Sequence, residues 1–363
     1  MHIAIDARLY GTEHRGLGRY VERLIAGLAG IDTVNSYTLL VNPSNKDAPR
    51  GLPSNFRLCE APWRVYSFWG EQLQLSRLLD QLKPDLVHFP HFAVPVRTRR
   101  PFVVTVHDLI LHHRASERAI TQPGILYGAK VLAYRWVIRR AIFGARTILV
   151  PSESVANDIR GYYPRVADRL KVVPLGVTVA SPAPVAAPAR YFLTVGAAYP
   201  HKNLELLPKV VSQLPPDIVI VSVGRMDAFR DRLKTLVEEE GLARRIIFWG
   251  EASEAELAGL YHGALGYLIP SFEEGFGLGA VEALHYGTPV IASDIPVHRE
   301  VLGEAAMFVG PADTNGWVGA LVEVANLSEE AKSRVVRKAR ERVSKYSWEG
   351  MARDTLAIYQ LSR

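Results

Sequence analysis

The sequence predicts an α/β protein built from two Rossmann-like domains, one in each half of the chain. Short apolar runs alternate with helical patterns throughout, which is typical of parallel, doubly wound sheets covered by helices. The chain has 363 residues, too many for one ordinary core and enough for two domains of about 180 residues each. The alternation is interrupted once, near the middle, by the proline-rich segment 181–189.

In the first half, apolar runs bounded by turn residues predict buried parallel strands, and the stretches between them carry helical periodicity. We expect strands over 3–5, 37–41, 86–89, 102–106 and 147–151. The expected helices are 18–29, 71–81 and the long basic stretch 126–143.

The central segment 181–189 reads SPAPVAAPA, with three prolines in nine residues. Because proline fixes φ, this segment is expected to be a semi-extended linker. The predicted domains are therefore 1–180 and 190–345, with a final helix in 346–363 that packs back on the first domain.

After the linker the same alternation starts again. Strands are expected over 191–195, 218–223, 246–249, 266–270 and 289–292. Helices are expected over 204–214, 231–240, 255–262, 277–286, 315–327, 328–345 and 348–361. Two such domains are expected to face each other across a cleft at the carboxyl ends of both sheets, where ligands of these folds bind.

Composition narrows the classes of function. Residues 1–180 contain 24 Lys and Arg against 14 Asp and Glu, whereas 181–363 contain 19 against 23. A basic half can face nucleic acid, anionic lipid or an anionic substrate, and the alternative is a solvated arginine-rich surface. We see no apolar run long enough for a bilayer and no signal peptide. A single cysteine, Cys59, cannot form an internal disulfide, so a cytoplasmic location is expected.

The strongest local pattern is PSFEEGFGLGAVEA, which begins at Pro270 where a predicted strand ends. Glycines at 275, 277 and 279 allow positive φ and close approach to a ligand. The free N–H groups of the helix that begins near Leu278 suit a diphosphate.

Two glutamates of this pattern are candidates for ligand contact. Glu274 lies in the turn, and Glu282 lies two turns into an otherwise apolar helix. A buried carboxylate needs hydrogen-bond donors, which the hydroxyls of a ribose would supply. The alternative is a helix N-terminal charge for Glu274 and a capped core residue for Glu282.

Further candidates lie at other predicted strand ends. In VGAAYPHKN, Gly196 ends a strand and Lys202 would reach a phosphate as a point charge, or else be a surface lysine. In TVHD, His107 ends a strand and would face the cleft, with a structural hydrogen bond as the alternative. Asp294 and Glu300 are weaker candidates, with helix capping as the alternative.

The segment GLGRY, with Gly16 and Gly18, follows the first strand but lacks a third glycine at position 21, so the dinucleotide fingerprint fails. It is either an anion-facing turn or a plain tight turn. The sequence also contains no Asp-x-Asp pair, phosphate-binding P-loop, Gly-x-Ser-x-Gly elbow or zinc spacing. The histidine pairs 112/113 and 88/91 lack carboxylate or cysteine neighbours at ligand spacing. We therefore expect no metal and no cofactor.

Taken together, these motifs resemble the retaining glycosyltransferases of family 4, which have the GT-B fold. The turn with Glu274 and Glu282 is similar to the Glu-x7-Glu motif of that family. The resemblance also covers PSFEEGFGLGAVEALHYGTPVIASDIPVHREV, LTVGAAYPHKN, GLGRY, TVHDL and LVPSESVANDI, and it spans about residues 1–360. It implies that 1–180 is the acceptor-side domain and that 190–345 binds the nucleotide sugar.

The resemblance implies roles for individual residues. Lys202 would neutralise the donor diphosphate, Glu274 would accept hydrogen bonds from sugar hydroxyls, and His107 would contact the transferred sugar near its 6-hydroxyl. These three are the implied catalytic residues. The implied donor-binding residues are Gly16, Gly18, Gly196, Arg225, Gly275, Phe276, Gly277, Leu278 and Glu282.

Two positions depart from the family pattern. Many members carry an arginine just after the strand glycine, where this chain has Ala197 and Ala198. One phosphate-binding cation is therefore expected to be missing here, unless Arg19 or Arg225 substitutes for it. The usual proline of the glycine turn is replaced by Gly279, which is expected to loosen the start of the helix.

The resemblance also suggests a reaction. GLGRY, TVHDL and SDIPVHREV look most like mannosyltransferases of bacterial polysaccharide and O-antigen synthesis, which implies GDP-mannose as donor and a glycan or lipid-linked acceptor. We see no carboxylate placed as a nucleophile, so front-face attack with electrostatic stabilisation of the leaving diphosphate is favoured. The alternatives are a 2-epimerase of the same fold, a non-catalytic nucleotide-sugar-binding protein and, more weakly, an NAD-linked dehydrogenase.

The basic clusters 97/99/100 and 135/139/140, with Trp136 beside the second, suggest peripheral contact with an anionic membrane on its inner face. The alternative is a soluble acceptor and a solvated helix. Nucleic acid is not an expected partner, because basic motifs interleaved with aromatic residues are absent.

Overall fold

A computed structural model of the chain describes residues 1–11, 15–45, 47–65, 67, 70–114 and 124–362. The chain divides into two compact units. Apart from the residues outside this description, one unit consists of Met1–His112, Pro123–Gly176 and Ser347–Arg363. Of the described residues, the other consists of His113, Arg114 and Val177–Tyr346.

The first unit is built on a parallel sheet whose seven described strands have the order β3-β2-β1-β4-β5-β6-β7. The strands are β1 His2–Asp6, β2 Ser36–Val41, β3 Phe56–Glu60, β4 Leu86–Phe89, β5 Phe102–Thr105, β6 Thr147–Val150 and β7 Leu170–Val172. The helices are α1 Arg15–Ile31, α2 Ser76–Leu82, α3 Ile110–His113, α4 Gly124–Gly144 and α5 Glu153–Tyr162, and a π-helical turn, Gly70–Leu75, precedes α2.

The C-terminal helix α13, Trp348–Leu361, belongs to this first unit and packs against α1. The two helices approach so closely that a Cβ built on Gly27 would lie 2.5 Å from the Cβ of Ala352. At the far end of the helix, the Tyr359 hydroxyl lies 2.5 Å from Nδ1 of the buried His88. The last helix is thereby tied to the central strand β4 of the sheet.

The second unit has a parallel sheet whose six described strands have the order β10-β9-β8-β11-β12-β13. The strands are β8 Tyr191–Val195, β9 Val219–Val223, β10 Ile246–Gly250, β11 Gly266–Ile269, β12 Val290–Ser293 and β13 Ala306–Val309. The helices are α6 Leu206–Val211, α7 Ala228–Glu239, α8 Glu254–Gly263, α9 Leu278–His285, α10 Pro296–Leu302, α11 Thr314–Ala325 and α12 Glu329–Val343.

The order of each sheet reverses beside its first strand. In the second unit β8 pairs in parallel with β9 on one side and with β11 on the other. Chain segments that leave the carboxyl ends of β8 and β11 therefore diverge from neighbouring points, which is where such sheets bind ligands. The motifs around Gly196 and Pro270 both begin at this point.

These two parallel sheets confirm the predicted α/β fold class of two Rossmann-like domains. Strands β3, β7 and β13 and helices α3, α5 and α10 were not predicted. Strand β3 lies at an edge of the sheet with mostly exposed side chains, and β7 has only three residues, so neither shows a continuous apolar run. The helix predicted over 204–214 is shorter in the structure. There, a 3₁₀ turn, Pro200–Lys202, is followed by the six-residue α6.

The proline-rich segment 181–189 lies along the second unit rather than standing free of it. The N–H of Ala183 donates to the carbonyl of Ala255 at 2.9 Å, and a Cβ on Gly259 would meet the Ala183 carbonyl oxygen at 2.1 Å. Just before it, Ala180 exchanges hydrogen bonds with the Tyr286 hydroxyl. Among the described residues, we find no helix with the length and apolar character needed to cross a membrane.

Candidate active site

The glycine turn of the second unit connects β11 to α9. Gly277 is the N-cap residue of α9, with φ of 84°, and no side chain caps this helix. By contrast, Asp227 caps α7 and Ser253 caps α8 through side-chain oxygen atoms. The N-cap residue of α9 therefore offers no side-chain acceptor to the N–H groups of the first turn, which is the arrangement that suits a phosphate.

The three glycines of the turn have different reasons to be glycine. Of Gly275, Gly277 and Gly279, only Gly277 has a left-handed φ, so the expectation of positive φ is wrong for the other two. At Gly279 the reason is space, because a Cβ there would lie 2.3 Å from the Tyr267 hydroxyl oxygen. The hydroxyl of Tyr267 thus occupies the position where a larger residue at 279 would place its side chain.

Lys202 and Glu274, predicted from separate motifs, are brought together. The Nζ atom of Lys202 donates to Oε1 of Glu274 at 2.6 Å, and the Ser271 hydroxyl donates to the same oxygen at 2.8 Å. The Lys202 side chain is 26% exposed and that of Glu274 is 8% exposed. The ammonium group therefore keeps a face toward solvent while the carboxylate is nearly enclosed.

Hydrogen bonds to backbone carbonyl groups hold the loop of Lys202 against the glycine turn. Asn203 ends the 3₁₀ turn in a left-handed conformation, with φ of 54°. Its side-chain amide donates to the carbonyl of Pro270 at 3.1 Å, and the Phe272 N–H donates to the carbonyl of His201 at 2.8 Å. These contacts fix the position from which the flexible lysine side chain extends.

The charge of Glu274 is maintained by its neighbours. Burial acts to raise the pKa of this carboxyl group, but the positive charge of Lys202 and the hydrogen bonds from Lys202 and Ser271 hold the pKa below its usual value. Glu274 is therefore an ionised hydrogen-bond acceptor at neutral pH. Such a group suits the hydroxyl groups of a sugar.

Glu282 lies on the buried side of α9 and accepts a hydrogen bond from the Tyr261 hydroxyl at 3.1 Å. Both glutamates affect the pKa of Tyr267. Burial, followed by the charges of Glu274 and Glu282, raises the pKa of Tyr267 far above its usual value, so its hydroxyl stays protonated. This hydroxyl donates to the carbonyl oxygen of Val195, at the end of β8, over 3.5 Å.

Gly196 follows β8 with φ of 138°, and a Cβ built there would meet no atom within 4 Å. Its carbonyl oxygen accepts a hydrogen bond from the fully buried Arg230, which also binds Ser222 and so joins the ends of β8 and β9. Arg225 lies on the exposed segment between β9 and α7. Arg230 therefore has a structural position at the site, whereas Arg225 is open to solvent.

In the first unit, Gly16 and Gly18 lie inside the first turn of α1, which begins at Arg15. The predicted helix 18–29 therefore begins three residues earlier, and GLGRY lies within this helix and not in a separate turn before it. Gly18 is packed so tightly that a Cβ there would lie 1.8 Å from the carbonyl oxygen of Gly11, whereas Gly16 is exposed with open space around it. The close packing at position 18 therefore requires glycine, whereas the exposed position 16 has room for a side chain.

His107 follows β5 in the first unit. Its Nε2 lies 2.9 Å from the carbonyl oxygen of Pro90, and its ring packs edge-on against Tyr20 with centroids 4.7 Å apart. Burial lowers the pKa of His107 to about 4, despite the opposing effect of the Pro90 hydrogen bond. The imidazole is therefore neutral at pH 7. Because a carbonyl only accepts, Nε2 carries the proton and Nδ1 is an acceptor.

Behind His107, a chain of hydrogen bonds crosses the first unit. The Tyr20 hydroxyl lies 2.9 Å from the hydroxyl of Thr105, which in turn lies 2.9 Å from Nε2 of His88. Burial, with a smaller effect of His107, lowers the pKa of His88 to about 3. This network holds the Tyr20 ring against His107.

With this geometry established, the comparison with known families is decisive. The family described as Glycosyltransferase Family 4 matches residues 14–181, and that described as Glycosyl transferases group 1 matches residues 183–342. The chain is a family 4 glycosyltransferase. The two matches meet at the proline-rich segment, so each family match covers most of one compact unit, and the C-terminal helix of the first unit lies outside both.

Similar proteins support this assignment. The glycosyltransferase is 29% identical over 297 residues to the O-antigen chain mannosyltransferase RfbU of Salmonella typhimurium, covering 81% of this chain and 78% of that protein. It is 26% identical to O-antigen chain mannosyltransferase B of Escherichia coli, covering 95% and 96% of the two chains. Sucrose-phosphate synthase from Thermosynechococcus elongatus, at 21% identity, superposes with a TM-score of 0.79 over 99% and 98% of the chains, which supports the GT-B fold.

Several residues at the site of the glycosyltransferase were not predicted from the sequence. These are Ser271, which binds Glu274, the tyrosines 261 and 267, Arg230, and His298 on α10. Of the weaker candidates, Asp294 forms an exposed ion pair with Arg299 at 2.7 Å, and the backbone carbonyl of Glu300 accepts a hydrogen bond from Arg342. The signal for α10 was present, because a proline after an extended residue often begins a helix.

Proposed function

We propose that this glycosyltransferase transfers mannose from GDP-mannose, with retention at the anomeric carbon, to a glycan or lipid-linked acceptor of O-antigen-type polysaccharide synthesis. The Salmonella and Escherichia coli relatives are O-antigen chain mannosyltransferases, which supports the mannosyl group and the kind of pathway. Family membership supports a nucleotide-sugar donor.

The observation that carries the proposal is the contact between Lys202 and Glu274 beside the uncapped start of α9. It joins a cation and free N–H groups, which suit a diphosphate, to an ionised carboxylate, which suits sugar hydroxyls. A nucleoside diphosphate sugar is the ligand that has both kinds of group in one molecule.

In the proposed reaction, the bond between the anomeric carbon and the β-phosphate oxygen breaks as the acceptor hydroxyl attacks from the same face. Negative charge grows on the leaving diphosphate, which also receives the proton of the acceptor hydroxyl. Lys202 and the N–H groups of Phe276, Gly277 and Leu278 stabilise that charge. The proposed chemistry needs no metal ion and no cofactor, because these groups supply the positive charge.

The proposed role of His107 follows from its protonation state. With Nε2 donating to the Pro90 carbonyl, the neutral ring offers Nδ1 as an acceptor. A hydroxyl near C6 of the transferred sugar is the proposed donor to Nδ1. We also propose donor-binding roles for the other residues that the resemblance implies, which are Gly16, Gly18, Gly196, Arg225, Gly275 and Glu282.

The proposed acceptor site is at the inner face of an anionic membrane. On α4, Leu132 and Trp136 are 68% and 55% exposed, and they lie beside exposed Arg135 and Arg139. Such a combination of apolar and basic side chains suits a membrane surface. Arg140 does not contribute, since it donates to the carbonyls of Val96 and Thr98.

A donor panel tests the reaction. The enzyme is incubated with GDP-mannose, UDP-glucose and other nucleotide sugars, with and without lipid-linked acceptors, and the released nucleoside diphosphate is measured. We expect release from GDP-mannose that rises with acceptor and an α-linked product by NMR. Release from another donor alone would contradict the proposed sugar. Interconversion of nucleotide sugars without acceptor would instead indicate an epimerase.

Vesicle pelleting tests the membrane proposal. The protein is mixed with anionic and with neutral phospholipid vesicles at low and high salt, beside the variant R135A/R139A. We expect binding to anionic vesicles that falls steeply with salt and with loss of the two arginines. No pelleting with anionic vesicles, or pelleting that is insensitive to salt, would overturn the membrane proposal.

A further inference from the structure

His298 is a buried side chain behind the glycine turn. It lies on α10, is 0% exposed, and its Nδ1 lies 2.9 Å from the carbonyl oxygen of Ser293. Because a carbonyl oxygen only accepts, Nδ1 carries the proton of this hydrogen bond. In the neutral ring, Nε2 then has a lone pair and no hydrogen.

The Nε2 atom of His298 is buried, and within the described part of the chain it has no hydrogen-bond partner. Buried acceptors without a partner are destabilising and uncommon in native proteins, so each one needs a reason. One such reason is that the acceptor finds its hydrogen-bond donor only in a bound ligand.

The position of the ring connects it to the donor site. A Cβ built on Gly277 would lie 3.7 Å from Cδ2 and 3.8 Å from Nε2 of His298, so the edge of the ring that bears Nε2 faces the turn. Glu274 and Lys202 are the charged groups that act on it. Burial nevertheless lowers the pKa of His298, which keeps the ring neutral at pH 7.

A neutral Nε2 and an ionised carboxylate select the same kind of ligand group. Nε2 of His298 and the carboxylate of Glu274 are both acceptors, so neither can bind a phosphate oxygen, which is also an acceptor. Both can bind hydroxyl groups. Lys202 and the N–H groups of α9 are the donors that would bind the phosphates instead.

We propose that Nε2 of His298 accepts a hydrogen bond from a hydroxyl group of the donor sugar. This inference rests on the proposed function and adds a second acceptor beside Glu274. Gly277 covers the ring, so the hydroxyl reaches Nε2 only when the turn shifts. A glycine at this position lets the backbone shift without moving a side chain.

Two substitutions test the roles of the two ring nitrogens separately. In His298→Asn, the short amide can still donate to the Ser293 carbonyl from the position of Nδ1 but offers nothing at the position of Nε2. In His298→Gln, the longer amide places an acceptor oxygen near the position of Nε2 and loses the donor at Nδ1. The Asn variant therefore keeps the structural hydrogen bond and removes only the proposed ligand contact.

Binding of GDP and of GDP-mannose to the wild type and both variants is measured by calorimetry, with thermal unfolding as a check on folding. We expect GDP to bind all three proteins alike. GDP-mannose is expected to bind the Asn variant roughly 3- to 10-fold more weakly, the loss of one neutral hydrogen bond, and the Gln variant nearly as well as wild type.

The inference is overturned if the Asn variant binds GDP-mannose as tightly as wild type, or if GDP and GDP-mannose weaken equally. If wild type prefers another nucleotide sugar, the proposed donor is wrong, and the same comparison with that sugar and its nucleotide decides the inference. If wild type binds no nucleotide sugar at all, both proposals fail.

Discussion

Replacing Lys202 by alanine is expected to lower kcat about 100-fold. In the transition state the ammonium group would stabilise charge on the leaving diphosphate, and loss of one such donor costs about 2.7–4 kcal/mol, or 10²–10³ in rate. We expect the lower end of this range. The reason is that Lys202 Nζ already donates to Glu274 at 2.6 Å, so part of its interaction energy must be given up before it turns to the phosphate.

The same substitution has a separate effect on stability. Without Lys202, the nearly enclosed Glu274 carboxylate keeps the Ser271 hydroxyl as its hydrogen-bond donor among the described residues. Leaving a charged group short of one hydrogen bond costs about 1–3 kcal/mol. For a unit of about this size, each kcal/mol lowers Tm by about 2–4 °C. The protein should therefore remain folded at the assay temperature.

The assay is GDP release from GDP-mannose at saturating acceptor, with Tm measured on the same samples. Lys209→Ala is the matched control, since Lys209 is an exposed lysine of α6 in the same unit. A kcat for Lys202→Ala within about threefold of wild type would remove the assigned role and leave Lys202 as a structural partner of Glu274.

Three further predictions concern stability. The pKa of Glu274 is lowered in the folded state, so the stability that its ionisation contributes is fully present above the unfolded pKa of about 4.3 and is lost as pH falls through the folded pKa. The Tm difference between wild type and Glu274→Gln should therefore shrink in acid. A Tm difference that does not change with pH would refute this. Gly279→Ala should cost about 1–3 kcal/mol in chemical denaturation, largely recovered by adding Tyr267→Phe; additive effects would refute the proposed clash. Gly18→Ala should lower Tm strongly while Gly16→Ala leaves it unchanged or higher, and equal effects would count against the packing argument.

Apolar runs predicted the central strands well, because buried parallel strands are apolar on both faces. They could not predict β3, whose side chains are mostly exposed, or β13, whose side chains are only partly buried at the sheet edge. Helix α10 begins after Ile295 without a side-chain cap, so it lacks the usual start signal apart from Pro296. Fold class follows from the repeated pattern, whereas edge elements depend on tertiary packing.

The candidate site shows the same limit at the level of single residues. Lys202 and Glu274 were each predicted from a strand end, but their contact depends on β8 and β11 being neighbours, which the order along the chain does not give. The departure at Gly279 was visible in the sequence, yet its cause is the direction of the Tyr267 hydroxyl. His298 had no signal, because its importance comes from burial and from the unpaired Nε2.

The polarity of the groups around the turn explains why one small region can select a whole donor molecule. On one side, Lys202 and the first N–H groups of α9 only donate hydrogen bonds. On the other side, the Glu274 carboxylate and Nε2 of His298 only accept them. A free nucleotide satisfies the donors alone and a free sugar satisfies the acceptors alone. We infer that a nucleotide sugar gains affinity from both sets, and that exchanging the polarity of either set would change which ligand binds.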